Sequence, residues 1–220
     1  MSSLRINVGC GSNPTSDWIN YDNSFSIIIS KFPLFVPKIL LFLGLIKNPH
    51  FSYISFLKNS VIRYGNMLKG LPDKDESISV IYTSHMLEHF DSLEADIFCI
   101  EAQRLLIPGG IIRIVVPDIM IKINEYNIHN DPDLFIESLN ICIPRPKTIF
   151  QKFYSKFIEN SYGYHQRMYD SGSLMKLLKK NNFIDIKSLP PGETMISDPG
   201  DLDLREGEKE SLYMEARKAI

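Results

Sequence analysis

No run of about twenty apolar residues occurs in the 220-residue chain, so no segment reads as a membrane-spanning helix. Nor does one charge dominate. The 24 Lys and Arg against 26 Asp and Glu leave a net charge of −2. With an isoelectric point near 6.2, the chain exerts no overall pull on nucleic-acid phosphates, and a nucleic-acid partner is not expected. Cysteine is scarce too. Cys10, Cys99 and Cys142 are odd in number and lack metal-ligand spacing, so buried, reduced thiols are expected, and no metal. A secretory leader is not read either, because Met1 to Arg5 leads directly into an apolar strand; a cytoplasmic protein is expected. There is no internal repeat and no low-complexity tract.

What is present is the make-up of one globular domain over residues 1–220, 44% hydrophobic and 23% charged, large enough to bury a full core. The stretch Arg5-Ile6-Asn7-Val8-Gly9-Cys10-Gly11-Ser12-Asn13-Pro14 opens it: a short buried strand closed by two glycines. Glycine there permits a tight turn and close approach of a ligand to the backbone. Further strands are read at Trp18 to Asp22, Val61 to Tyr64, Ile78 to Thr83, Ile111 to Asp118, Phe183 to Leu189 and Ser211 to Lys218. A helix with apolar positions from Leu93 through Ile97, Ile100 and Leu105 is expected to stop at Pro108-Gly109-Gly110. Another is expected over Asp170 to Asn181, capped by Asp170 or Ser171, with Leu174, Leu177 and Leu178 on one face. Between about Asn124 and Tyr164, Pro132, Pro144 and Pro146 limit regular structure, and helices and a loop are expected without firm bounds. Strand and helix signals in alternation predict an α/β fold with an open parallel sheet covered on both faces.

Taken together, "NVGCGSNP", "WINYD", "GLPDKDESISVIYTSHMLEHF", "EAQRLLIPGGIIRIVVPD", "YHQRMYDSGSLMKLLKKNNF" and "SLYMEARK" resemble a class I S-adenosylmethionine (SAM)-dependent methyltransferase. The likeness is to the small type often associated with polysaccharide or cell-surface glycan biosynthesis, and it covers nearly the whole chain. It implies a Rossmann-like, seven-stranded, mostly parallel sheet whose last strand is antiparallel and inserted beside the fifth, with helices on both faces. It also implies SAM as cofactor and S-adenosylhomocysteine as product. The glycines fit that ligand better than a dinucleotide: a dinucleotide fingerprint wants a third glycine where Pro14 stands, which disfavours an oxidoreductase.

By the resemblance, Asn7, Gly9, Cys10, Gly11, Asp22, Asn66, Met67 and Ser84 form the cofactor site. Asp22, at the tip of the second strand, offers a carboxylate to the ribose hydroxyls; the plainer reading is that it caps a following turn. Asn7 and Asn13 stand where the family pattern has an acid and a third glycine, and Asn66 stands where it has an acid near the adenine. His85, His89 and His165 are the candidate bases for an acceptor hydroxyl, imidazole being suited to proton transfer near neutral pH; His165 also reads as a substrate contact or as a residue that only fixes the loop before its helix. The plainer reading of Glu88 and His89 is that they begin the next helix and stabilise its first turn. The absence of an Asn-Pro-Pro-Tyr type sequence after the fourth strand disfavours methylation of nucleic-acid amines.

The expected activity is methyl transfer to a small-molecule or glycan acceptor, with a hydroxyl favoured; a lipid-linked glycan is included. A non-catalytic SAM- or nucleoside-binding subunit supporting a partner is the alternative, and either a monomer or a homodimer fits. Residues from about 24 to 57, rich in Ile, Leu and Phe and interrupted by Lys31, Pro33, Pro37 and Lys38, read as a hydrophobic insertion. It is expected to fold back as a lid, with its apolar residues buried against the domain and the acceptor. Weak peripheral membrane contact through its lysines is the competing reading.

Overall fold

A computed structural model describes residues 4–141 and 164–220. Cys142, Pro144 and Pro146 lie outside the described residues. Seven strands form one sheet in the order β3-β2-β1-β4-β5-β7-β6. They are β1 (Leu4–Val8), β2 (Ile19–Asp22), β3 (Ile62–Tyr64), β4 (Ile78–Ser84), β5 (Leu106–Pro117), β6 (Phe183–Leu189) and β7 (Ser211–Lys218). β7 pairs antiparallel with both β5 and β6, and the remaining pairs are parallel. This is the Rossmann-like mixed sheet that the family resemblance implied.

The period of two along the central strands sends alternate residues to opposite faces. Ile81 on β4, Ile112, Ile114 and Val116 on β5, and Met214 and Ala216 on β7 share one core. Against that face packs helix α4 (Ser92–Leu105), which buries Ala95, Phe98, Cys99, Ala102 and Leu105. Asp91 caps α4 by accepting from the Leu93 and Glu94 amides, and Glu94 reaches back to the Asp91 amide. The helix ending at Lys180, Ser171–Lys180, joins the same core through Leu174 and Leu178 and is capped by Asp170 as read from the sequence. The other face carries Val80, Tyr82, Ile111, Val115 and Tyr213, packed with Trp18, Ile196 and Leu202.

Two boundaries differ from the sequence reading. Pro108-Gly109-Gly110 does not stop α4. The chain is already extended at Leu106, and these residues form the first part of β5, where Gly109 has φ +75° and the pairing with β4 shifts register. Glu88 and His89 do not begin α4 either. They lie in a separate 3₁₀ turn, Leu87–His89, because Phe90 is extended and Asp91 starts a new cap.

The face of β5 opposite α4 holds a charged pair. Arg113 and Glu215 stand opposite each other across β5 and β7, both 0% exposed, with Arg113 Nη1 donating to Glu215 Oε1 at 2.6 Å. Thr194 Oγ1 and the Met195 amide also donate to Glu215, while Arg113 donates to the carbonyls of Glu193 and Leu204. The pair thereby pins the loop between β6 and β7 to the sheet.

Residues 24–57 form three helices between β2 and β3: α1 (Phe25–Ser30), α2 (Phe35–Phe42) and α3 (Asn48–Leu57). Ile29, Ile46 and Ile54 make a small core of their own with Leu40, Leu41 and Phe51. The burial expected of this segment is partial. Phe32, Leu34, Phe35, Ile39, Phe42 and Leu43 are exposed, Phe42 by 89%. A helix of eight residues whose side chains are apolar except for Lys38 has only one face to give to α1 and α3. Among the described residues, no helix is long and apolar enough to cross a membrane.

Candidate functional site

Open α/β sheets bind ligands outside the carboxyl ends of their strands, and a pocket lies there. β1 supplies Val8 and Gly9, β2 supplies Asp22 and Asn23, and the turn after β3 supplies Gly65, Asn66 and Met67. The far wall, from the turn after β4, is His85, Met86, His89 and Phe90.

Gly9 has φ +71°, and a Cβ built on it would lie 2.5 Å from Met86 Sδ. Its amide and that of Cys10 both donate to the Tyr21 carbonyl, which carries the chain over the end of β2. Gly11 then donates its amide to Asp22 Oδ2 at 3.0 Å, and the Ser24 amide donates to Oδ1 at 2.7 Å. Burial pushes the Asp22 carboxyl up, and these two amides pull it back. Each carboxylate oxygen retains acceptor capacity towards the pocket. Tyr53 on α3 donates to the Gly11 carbonyl at 3.0 Å, so the insertion touches the glycine turn.

Of the residues expected to hold the cofactor, Gly9, Asp22, Asn66 and Met67 line the pocket. Asn7 lies beneath the turn instead, 2% exposed, donating to the Asn13 carbonyl and to Thr15 Oγ1. It braces the loop that an acid-to-ligand contact would have used. Asn66 Oδ1 accepts from the Leu68 amide, which leaves its amide nitrogen for a ligand. Cys10 is buried, and burial pushes its thiol, like that of Cys99, up to about 12, so both stay protonated and inert. Gly11 and Ser84 are set back from the pocket wall, Ser84 at the end of β4.

The histidines gather. His85 sits at φ +49°, a backbone that few side chains adopt without being held, and its Nε2 lies 3.1 Å from Ser211 Oγ. Gly207 packs so close that a Cβ there would come 2.8 Å from His85 Nε2. The His89 and His165 rings meet edge to face at 5.2 Å. Between them is Glu88, 1% exposed, with His85 Nδ1 3.5 Å and His165 Nε2 4.0 Å from its Oε1. Interaction with Glu88 pushes the His85 pKa up against burial, whereas burial pushes His165 down. Val8, Met86, Asn23, Gly65 and Phe90 were missed by sequence reasoning; the glycine after a strand end was the one local signal among them. Gly65 serves packing, since a Cβ there would meet Tyr21 at 2.5 Å.

The chain matches no family profile and no curated relative. Its similarity is to solved structures. A SAM-dependent methyltransferase from Methanosarcina mazei aligns over 99% of this chain and 93% of its own at 14% identity, with a TM-score of 0.53. One from Archaeoglobus fulgidus aligns over 99% and 87% at 14% identity, with a TM-score of 0.50. The fold is that of the class I SAM-dependent methyltransferases. In that fold the pocket at Gly9 and Asp22 occupies the carboxyl edge of the sheet on either side of β1, beside the crossover to β4.

Proposed function

We propose that the protein is a SAM-dependent methyltransferase acting on a hydroxyl of a small-molecule or glycan acceptor. The observation that carries this reading is a pocket with a glycine turn and the Asp22 carboxylate on one side and the His85 and His89 imidazoles on the other. The ribose hydroxyls of SAM donate to Asp22, and the adenine lies by Asn66 and Met67. The acceptor oxygen attacks the methyl carbon in line; the O–C bond forms as the C–S bond breaks, and S-adenosylhomocysteine departs as a neutral thioether. His85, held by Ser211, is positioned to take the hydroxyl proton. Because the sulfonium is a good leaving group, positioning supplies much of the rate. Calorimetry with SAM and turnover with labelled SAM over a panel of glycan and lipid-linked precursors test the proposal. SAM binding without turnover on any acceptor would leave a binding subunit instead.

Asp22→Ala removes acceptors from the ribose, and each charge-assisted hydrogen bond is worth about 1.5–3 kcal/mol, so SAM affinity falls by roughly 10- to 150-fold. Asp22→Asn falls less, since one acceptor oxygen remains. Thermal melts accompany the titrations because Asp22 also holds the Gly11 and Ser24 amides. Equal affinity in all three proteins would remove Asp22 from the site.

Residues 24–57 act in this reading as a lid tied to the glycine turn through Tyr53, with weak attachment to a membrane surface where lipid-linked acceptors reside. The support for the attachment is the exposed apolar set on α2 beside Lys31, Lys38 and Lys47. The protein is expected to sediment partly with anionic vesicles at low salt, to be released as salt screens the lysines, and to lose the association in Phe42→Glu. Absence of sedimentation at low salt would restrict the segment to the lid role.

A further inference from the structure

Glu88 is 1% exposed, yet neither of its carboxylate oxygens accepts a hydrogen bond from any described residue. A buried carboxylate costs several kcal/mol unless a positive partner offsets it, and the nearest candidate, His85 Nδ1, stands 3.5 Å from Oε1 without a hydrogen bond. What surrounds it is imidazole: one donor atom from each of Glu88, His89 and His165 lies within 4.8 Å of the other two. The tautomers are set from outside the cluster. His89 Nδ1 is 3.1 Å from the Tyr164 carbonyl oxygen and His165 Nδ1 is 2.8 Å from that of Leu139. A carbonyl only accepts, so Nδ1 carries the hydrogen in each ring and Nε2 keeps its lone pair. Backbone bonds hold the two segments together, the Gln166 and Arg167 amides donating to the Glu88 carbonyl at 2.8 and 3.1 Å.

We propose that Glu88, His89 and His165 bind a divalent transition-metal ion of the zinc class in the wall of the pocket. Two imidazoles and one carboxylate suit zinc, iron(II) or cobalt(II), whereas magnesium and calcium favour all-oxygen sites. Backbone carbonyls on the outer ring nitrogens are the supports that metal-bound histidines use. Metal–ligand bonds of about 2.0–2.2 Å require the donor atoms to draw in from their present spacing, a movement within reach of side-chain rotation. Three protein ligands leave a coordination position open, and because His89 also lines the pocket, an acceptor hydroxyl can reach it. An oxygen so bound gives up its proton more readily. That last role rests on the methyl-transfer reading; the ion site itself rests only on the side chains.

The test uses chelator-stripped full-length protein titrated with zinc, and separately with magnesium, followed by metal analysis after desalting. One equivalent of zinc is expected at micromolar or tighter affinity, with magnesium weaker by on the order of 100-fold. Glu88→Gln and His165→Gln are each expected to weaken zinc by roughly 100-fold. Cobalt(II) loading is expected to give visible absorption bands that both variants lose. Melting curves check the fold, and His165→Gln, at a position 13% exposed against 1% for Glu88, keeps the test open if Glu88→Gln does not fold. Zinc affinity unchanged in the folded variants, or no wild-type affinity tighter than millimolar, would overturn the site. SAM binding by the same stripped protein is measured separately, so loss of the cofactor reading and loss of the ion site give different results.

Discussion

Glu215→Gln is expected to lower the free energy of unfolding by about 3–5 kcal/mol, because it leaves the Arg113 guanidinium buried without its counter-charge. Both side chains are fully buried on the same face of the sheet, so no solvent screens the loss. The amide can still accept from Thr194 or Met195, but not as a charge. The effect is read as a lower urea midpoint with unchanged slope. The double replacement Arg113→Met with Glu215→Met is expected to recover much of the loss, since two apolar side chains of similar volume often substitute for a buried pair at little net cost. A fall of less than 1 kcal/mol in Glu215→Gln would mean that water reaches the pair.

The second large effect is expected on cofactor binding. Gly9→Val introduces a branched side chain where φ is +71° and where Met86 Sδ would be 2.5 Å from the new Cβ. Overpacking costs about 1–3 kcal/mol and the left-handed backbone roughly 1–2 more. Met86 can yield, but only at the expense of a pocket that both residues line. SAM affinity is therefore expected to fall by on the order of 100-fold or more. Gly11→Val serves as the comparison. Its φ is +49°, yet among the described residues no atom beyond its chain neighbours lies within 4 Å of its added Cβ, so the smaller loss is expected there, although both glycines belong to one motif. Calorimetry on both variants decides the order. If Gly11→Val lost SAM and Gly9→Val kept it, the ligand would lie on the other side of the turn.

The strands were legible because β-branched runs such as Ile78 to Thr83 are both apolar and bounded by turn formers, and Asp170 and Asp22 were legible because a strand or helix end fixes where their carboxylates stand. Direction of side chains was not. Asn7 has the right position for a ligand contact, and only the packing of Thr15 and Asn13 under the loop turns it inward. The end of α4 at Leu105 was legible, but the start of β5 was read at Ile111 and not at Leu106, because a Pro-Gly-Gly run is equally at home in a strand whose pairing shifts register. Glu88 read as a helix-starting acid, since its neighbour His165 is remote in sequence and no local pattern joins them. The outward face of α2 was also invisible: hydrophobicity says that a residue prefers cover, and not whether the fold has any left to give.

The strand order has a consequence for synthesis. β7 lies between β5 and β6, so the strand translated after β6 is the one that must enter the interior of the sheet. Until it does, β5 presents an open edge, with its Ile111 to Val116 backbone unpaired on that side, and β6 has no partner strand among the described residues. A nascent chain that stalls before Ser211 thus exposes the kind of long apolar edge that templates pairing between molecules. The ribosome-bound protein should depend on chaperone cover until β7 emerges, and then close the sheet in one step.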